Sequence, residues 1–251
     1  RQMCIRDRSY TLTQSDLQAL GEGLVSISAT QTDLAGNTSP ASTFNTHIDT
    51  LVPAAPSINT VAVDDVVNAA EGAALTLSGT AEANGKVSIS VAGETLAVTA
   101  DANGQWNLAL TPAQVAAMGQ GPETITLTQT DAAGNTSPAT SKTIAVDTLT
   151  PAAPTIADVA TDNVIGTAEA STTVLTGSNE AGAVVKVSFA GKDVLPTVTG
   201  TTWSYTLTAD DLSAMGQGPE TLTVVQTDAA GNTSLPATRD ITVATLSLIH
   251  I

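Results

Sequence analysis

The segments TQTDLAGNTSP (30–40), TQTDAAGNTSP (128–138) and VQTDAAGNTSL (225–235) place Asp33, Asp131 and Asp228 at successive spacings of 98 and 97 residues. A period of that length is the size of one small domain, so a chain of 251 residues that repeats it is built from tandem modules. Each period is long enough to enclose its own hydrophobic core. Aromatic residues are only 2% of the chain, which suits a stack of thin sheets better than one deep pocket.

Inside the middle period the pattern is that of short β-segments between turn signals. The stretches 75–82, 86–93, 94–101, 105–110, 123–130 and 141–148 alternate apolar and polar residues at period two, which buries one face of each. Asn84-Gly85 and Asn103-Gly104 supply the left-handed residues that tight hairpins need. With a first strand near 57–63, the count is seven. One motif departs from period two: TPAQVAAMGQG (111–121), matched by TADDLSAMGQG (208–218) and TQSDLQALGEG (13–23). It predicts a short helix with Thr111 as N-cap, Pro112 at the first helical position, Gln114 reaching back and Gly119 ending the turn. Thr208 with Asp211, and Thr13 with Asp16, repeat that cap. The expected fold is all-β: tandem seven-stranded sandwiches, each with one short helix between the fifth and sixth strands.

Trp106 and Trp203 stand 97 residues apart, each just after a turn, and read as core anchors rather than as sugar-stacking platforms. DTLVPAAP (49–56) and DTLTPAAP (147–154) fall where one period ends and the next begins. Their paired prolines favour extended backbone, so these linkers are short and semi-rigid, and each module advances the chain by about 40 Å.

The termini fit no period. Gln2–Arg8 and Leu246–Ile251 can be encoded by two DNA strings that are reverse complements of one another, and they resemble a sequencing adapter translated at both ends of a fragment. The expected division is therefore an adapter scar at 1–8, the C-terminal remnant of a truncated module at 9–52, a complete module at 53–150, a nearly complete one at 151–245 and a second scar at 246–251. On this reading the natural chain continues beyond both ends. Without the scars the chain has no cysteine, one histidine (His47), and five basic against 23 acidic residues, a net charge near −18. That charge repels nucleic acid and anionic lipid. No run approaches the roughly 18 apolar residues of a membrane span.

Strand parity places the acidic loops. If seven strands alternate in direction, Glu82, Asp101 and Asp131 lie at the upstream end of the middle module, and Glu180 and Asp228 at that of the third. Asp64, Asp65 and the linker residue Asp147 lie at the downstream end of the middle module. Stacking would then bring Asp49, Glu82, Asp101 and Asp131 together at the first joint, and Asp64, Asp65, Asp147, Glu180 and Asp228 at the second. Gathered carboxylates with no lysine nearby suit Ca²⁺, bound by extracellular modules at about 10⁻⁴ to 10⁻³ M. Tenfold excess over that dissociation constant stabilises by about 1.4 kcal/mol per site. A purely structural role for Asp131 is an Asx-turn, its carboxylate accepting from backbone N–H groups while Gly134 takes the left-handed position.

The motifs DTLTPAAP, GTAEANGKVSISV, ADANGQW and TDAAGNTSP, in that order, resemble the bacterial Ig-like domains that repeat in large surface adhesins and biofilm-associated proteins of Gram-negative bacteria. The resemblance implies a β-sandwich, export to the cell surface or medium, commonly by type I secretion, and in some members Ca²⁺ at the joints. It makes the segment a stalk whose partners are its neighbouring modules. The alternative is a module that binds glycans or proteins, but the aromatic residues sit in strands and the loops are small. An enzyme is disfavoured, because no nucleophile, phosphate loop or His/Cys metal set appears. The sequons at Asn37, Asn135 and Asn232 read as turns.

Overall fold

GPETITLTQT (121–130) shows how composition becomes structure here: Ile125, Leu127 and Gln129 alternate with threonines, and all three are buried while their neighbours are not. The computed structural model describes residues 9–246, so the adapter-like 1–8 and 247–251 lie outside the described residues. The chain opens with α1 (Gln14–Leu20), β1 (Gly23–Ala29) and β2 (Ser42–Ile48), the two strands antiparallel with Gly23 opposite Ile48. This unit has no facing sheet among the described residues. Apart from Ile48, its large apolar side chains are poorly covered, with Leu24 at 76% and Phe44 at 67% exposure.

The middle module holds β3 (Val66–Val67), α2 (Ala69–Gly72), β4 (Thr76–Thr80), β5 (Lys86–Val91), β6 (Glu94–Thr99), β7 (Gln105–Ala109), α3 (Pro112–Ala117), β8 (Gly121–Thr130) and β9 (Thr140–Val146). One sheet runs β3-β9-β8-β5-β6, and the β4-β7 pair covers it. Leu77 and Trp106 from the pair meet Val87, Ile89, Ile125, Leu127, Ile144 and Val146 from the larger sheet in one core. The third module repeats this with β10 (Val164–Gly166), β11 (Val174–Ser178), β12 (Val184–Phe189), β13 (Lys192–Val194), β14 (Thr197–Thr199), β15 (Thr202–Thr206), α4 (Ala209–Met215), β16 (Gly218–Thr227) and β17 (Ala237–Ala244). Its sheets are β10-β17-β16-β12-β13 and β11-β15-β14 around a separate core. The fourth strand of the pattern therefore splits. Pro196 has no N–H to give a ladder, and the chain changes sheets on either side of it.

The helical motif forms as expected. Thr111 and Gln114 make a reciprocal capping box, as do Thr208 with Asp211 and Thr13 with Asp16, and Gly119 has φ 73°. A second helix, α2, was not expected; Asn68 caps it with Glu71 reaching back.

The first strand differs from the expectation. Residues 57–60 lie against β4, with Ser57 N donating to Thr80 O at 2.8 Å and Asn59 N to Ser78 O at 2.9 Å. A tight turn follows, closed by Asp65 N to Val61 O, with Ala62 and Asp65 at positive φ. Only then does β3 pair, in parallel, with β9 in the other sheet. An uninterrupted strand from 57 to 63 would leave the edge of the larger sheet unpaired; the turn lets one segment serve both sheets.

The crossing segment explains a pair of glycines. Trp106 Nε1 donates to Ser57 O at 3.2 Å and Trp203 Nε1 to Thr155 O at 3.0 Å, so each buried indole finds a backbone acceptor. Gly79 and Gly177 lie between that backbone and the indole. A Cβ on Gly79 would stand 2.0 Å from Ser57 O and 2.8 Å from Trp106 Cζ2; on Gly177, 1.9 Å from Thr155 O. Neither acceptor is the movable end of a side chain. Gly177→Ala is therefore expected to destabilise the third module by at least the 1–3 kcal/mol typical of overpacking. Denaturant unfolding followed by indole fluorescence, with Trp106→Phe to isolate the Trp203 signal, checks this.

Candidate functional site: the module joints

The DxAGN loop builds itself around one carboxylate. Asp131 Oδ1 accepts from the backbone N of Ala133, Gly134 and Asn135 at 2.8–2.9 Å, and Oδ2 accepts from Asn135 Nδ2 at 2.9 Å. Gly134 takes φ 100°. Asp228 does the same with Ala230, Asn232 and the Asn232 amide, and Asp33 with Ala35 and Asn37. The Asx-turn reading of the aspartate is what the loop contains. The Asn135 amide leads the causes that hold Asp131 below the usual carboxylate range; partial desolvation opposes it and the loop N–H groups add to it.

The residues that reach the linker are the amides. Asn135 Nδ2 donates to Asp49 O at 3.0 Å across the first joint, and Asn232 Nδ2 to Asp147 O at 2.8 Å across the second. Gln226 Nε2 donates to Ala152 O at 2.6 Å while its Oε1 accepts from Glu180 N at 2.7 Å. Gln129 repeats both contacts, bonding Ala54 O and accepting from Glu82 N. The preceding module holds the same linker from its own side: Gln120 brackets Thr148, its Oε1 accepting from Thr148 N at 2.9 Å and its Nε2 donating to Thr148 Oγ1 at 2.9 Å. Glu22 takes that place with Thr50, and Gln217 with Thr245.

The joints thus bring together the segments that parity predicted, but through backbone and amide groups. Asp49, Glu82 and Asp131 border the first joint, and Asp101 adjoins them through Asn84 N to Asp101 O at 3.2 Å. Asp147, Glu180 and Asp228 border the second. Asp64 and Asp65 lie ahead of β3 instead, because that added strand carries the chain further before it reaches the joint; Asn68 and Ala69 stand there. The expected absence of lysine is also corrected, since Lys142 Nζ lies 2.8 Å from Asp65 Oδ1. That hydrogen bond, with one from Val61 N, lowers the Asp65 pKa against partial desolvation.

Among the described residues no three acidic, histidine or cysteine side chains gather to hold a metal ion. At the centre of the second joint the oxygens do not fit a Ca²⁺ cage: both Asp228 carboxylate oxygens and Asp147 O already accept from protein N–H groups. A depression of about 720 Å³ beside α4 has no carboxylate, imidazole, amine or thiol in its lining, and His47 is exposed on β2. Among the described residues no helix is long and apolar enough to cross a membrane.

Sequence reasoning passed over Asn135, Asn232, Gln129, Gln226 and the Gln120–Thr148 pair. The signal was present: the Gln and Asn are identical in all three loops, and the Thr recurs beside each linker aspartate.

Linked β-sandwiches clasped at both ends of a proline linker are the class of protein that this geometry defines. The model of the bacterial Ig domain family matches residues 52–147 and 150–244, and the chain belongs to that family. Among solved structures it is similar to a 1.5-MDa bacterial ice-binding adhesin, at 27% identity over 93% of this chain and 78% of that one, with a TM-score of 0.50. It also resembles the Ca²⁺-stabilised adhesin with which an Antarctic bacterium binds ice, at 30% identity over 94% of this chain and TM-score 0.48, and it spans 60% of that structure's length. A bacterial immunoglobulin-like domain from the M. primoryensis ice-binding adhesin matches at 32% identity over 39% of this chain and all of that one, with TM-score 0.30. No curated protein matches.

Asp65 and Asp131 have folded-state pKa values below their unfolded ones, so their contribution is present above about pH 4 and is lost as pH falls through the folded values. The melting temperature is expected to be flat from pH 7 to 5 and to fall below pH 4. Asp131→Asn is expected to lower it at pH 7 and flatten the acid limb, as read by circular dichroism.

Proposed function

We propose that this segment is a non-catalytic spacer of a large bacterial surface adhesin, exported from the cell, commonly the work of a type I system in such proteins. Its task is to hold successive modules in a set relation and so carry a distant adhesive region outward. The observation that supports this reading is the repetition of the linker contacts: Gln129 and Asn135 at one joint, Gln226 and Asn232 at the next, to equivalent carbonyls. Contacts spent on the chain's own linkers are not available to a ligand, and a proline-framed linker fixed at both ends loses the freedom that would let modules swing. The similarity to a 1.5-MDa ice-binding adhesin supports the same reading.

Calcium belongs to this proposal as an added stabiliser. The Ca²⁺-stabilised adhesin supports it. The carboxylates proposed to contribute are Asp49, Glu82 and Asp101 at the first joint and Asp147 and Glu180 at the second, while Asp64 stands ahead of β3, away from the joint. Each contributor keeps at least one oxygen without a protein N–H among the described residues. Asp131 and Asp228 would join only by giving up their loop bonds, and Asp65 is committed to Lys142.

Thermal unfolding of the chain in millimolar Ca²⁺ and in chelator tests the calcium part. The expected outcome is a rise of several degrees, lost on Asp147→Ser; no shift would leave a plain spacer. A glycan array tests the spacer reading itself, with no reproducible, competable binding expected.

A further inference from the structure

The three copies of one loop asparagine sit in three different surroundings. Asn37 donates to its own Asp33 and is exposed. Asn135 donates to its own Asp131 and to Asp49 O, and is half-buried. Asn232 makes both of those contacts and a third: its Oδ1 accepts from Ala69 N, in the preceding module, at 2.7 Å, and the residue is 3% exposed. The third contact also settles the orientation of the amide. A backbone N–H can only donate, so the atom facing Ala69 is the oxygen and the NH₂ faces Asp147 O and Asp228 Oδ2. Every polar atom of this side chain is then satisfied, two hydrogens by two oxygens and the oxygen by one N–H.

A group with two donors held between a carboxylate and a backbone carbonyl occupies the place where a cation would otherwise bridge them. We propose that the Asn232 amide takes the part of that cation and locks the second joint without metal. The lock draws on both modules: Ala69 is the first residue of α2, whose N-cap Asn68 lies against Gly231 of the loop, and Asp147 belongs to the linker between them. The third module has no counterpart of α2; Thr167–Thr172 there form turns instead of a capped helix. The three-way lock is accordingly a feature of this joint, with calcium at the outlying carboxylates adding stability without setting the relation of the modules.

The relation is measurable as a distance distribution between spin labels in the full chain, at Ala97→Cys and Thr238→Cys, both exposed strand positions, in a Cys4→Ser background. The parent chain is expected to give one narrow distribution, the same in chelator and in millimolar Ca²⁺. Asn232→Ala is expected to broaden it in both. Asn232→Asp replaces the donors by a third oxygen ligand beside Asp228 and Asp147, so it should broaden the distribution in chelator and narrow it in Ca²⁺.

Ala69→Pro provides a variant that leaves the third module untouched. Proline is favoured at a first helical position, and Asn68 at φ −88°, ψ 177° already has the backbone that precedes one. It replaces the N–H facing Oδ1 by a ring methylene, which cannot donate and stands where the hydrogen did, and is expected to broaden the distribution, while Asn135→Ala, at the other joint, leaves it unchanged. A parent chain that narrows only in Ca²⁺ would overturn the proposal, as would a narrow distribution in Ala69→Pro, or an Asn232→Asp chain that calcium fails to narrow. Glycan binding would unseat the spacer reading and leave this one standing.

Discussion

Each joint depends on a carboxylate that never leaves its own loop. Asp131 and Asp228 accept two or three backbone N–H groups and one side-chain amide, which fixes the loop tightly enough that the following asparagine points at the linker. An aspartate that reached the linker itself could offer only acceptors, and the linker presents carbonyls. The pairing of one acceptor residue with one amide four positions later solves this. The Asp shapes, and the Asn reaches. The same logic places a glutamine on the buried face of β8 and β16, where its amide donates to a linker carbonyl and accepts from the neighbouring loop.

The sandwich delivers these groups to the right end. Its first segment begins against the smaller sheet under an indole, turns sharply, and finishes in the larger sheet beside β9 or β17. A basic residue on the last strand braces the turn: Lys142 bonds Asn59 O and Asp65, and Arg239 bonds Ile156 O, Asp158 and Asn163. Such partly exposed pairs contribute little energy singly, but several bonds from one side chain fix the path of the chain. In the middle module that path ends in Asn68 and Ala69, at the joint. Modules that share a sequence pattern are therefore not interchangeable, because the third ends the same path in a turn.

The closed cores also account for the absence of a reactive centre among the described residues. Apolar side chains of moderate size fill the space between two thin sheets; of the buried polar groups, Gln129, Gln226, Ser137, Ser234 and Asn232 are engaged with backbone, and Asp211 is held by Lys192, Tyr205 and its own helix cap. Chemistry needs unsatisfied groups facing a cavity. These groups face the chain itself.

Period-two alternation, the capped helical motif and the recurring linker were legible in the sequence because each depends on neighbours within a few residues. They determined the β-sandwich modules, the helices at Thr111 and Thr208 and the Asx-turn at Asp131. The crossing of the first segment between sheets, the Asp65–Lys142 pair and the contact of Asn232 with Ala69 join residues 77 and 163 positions apart. No local pattern encodes such meetings. Parity placed most of the acidic residues at the correct end, yet could not tell that amides would take the central positions, because that depends on which groups face one another once two modules meet. The tertiary structure decided that, through a geometric rule: a backbone N–H and a backbone carbonyl brought to opposite sides of one side chain can both be satisfied only by an amide.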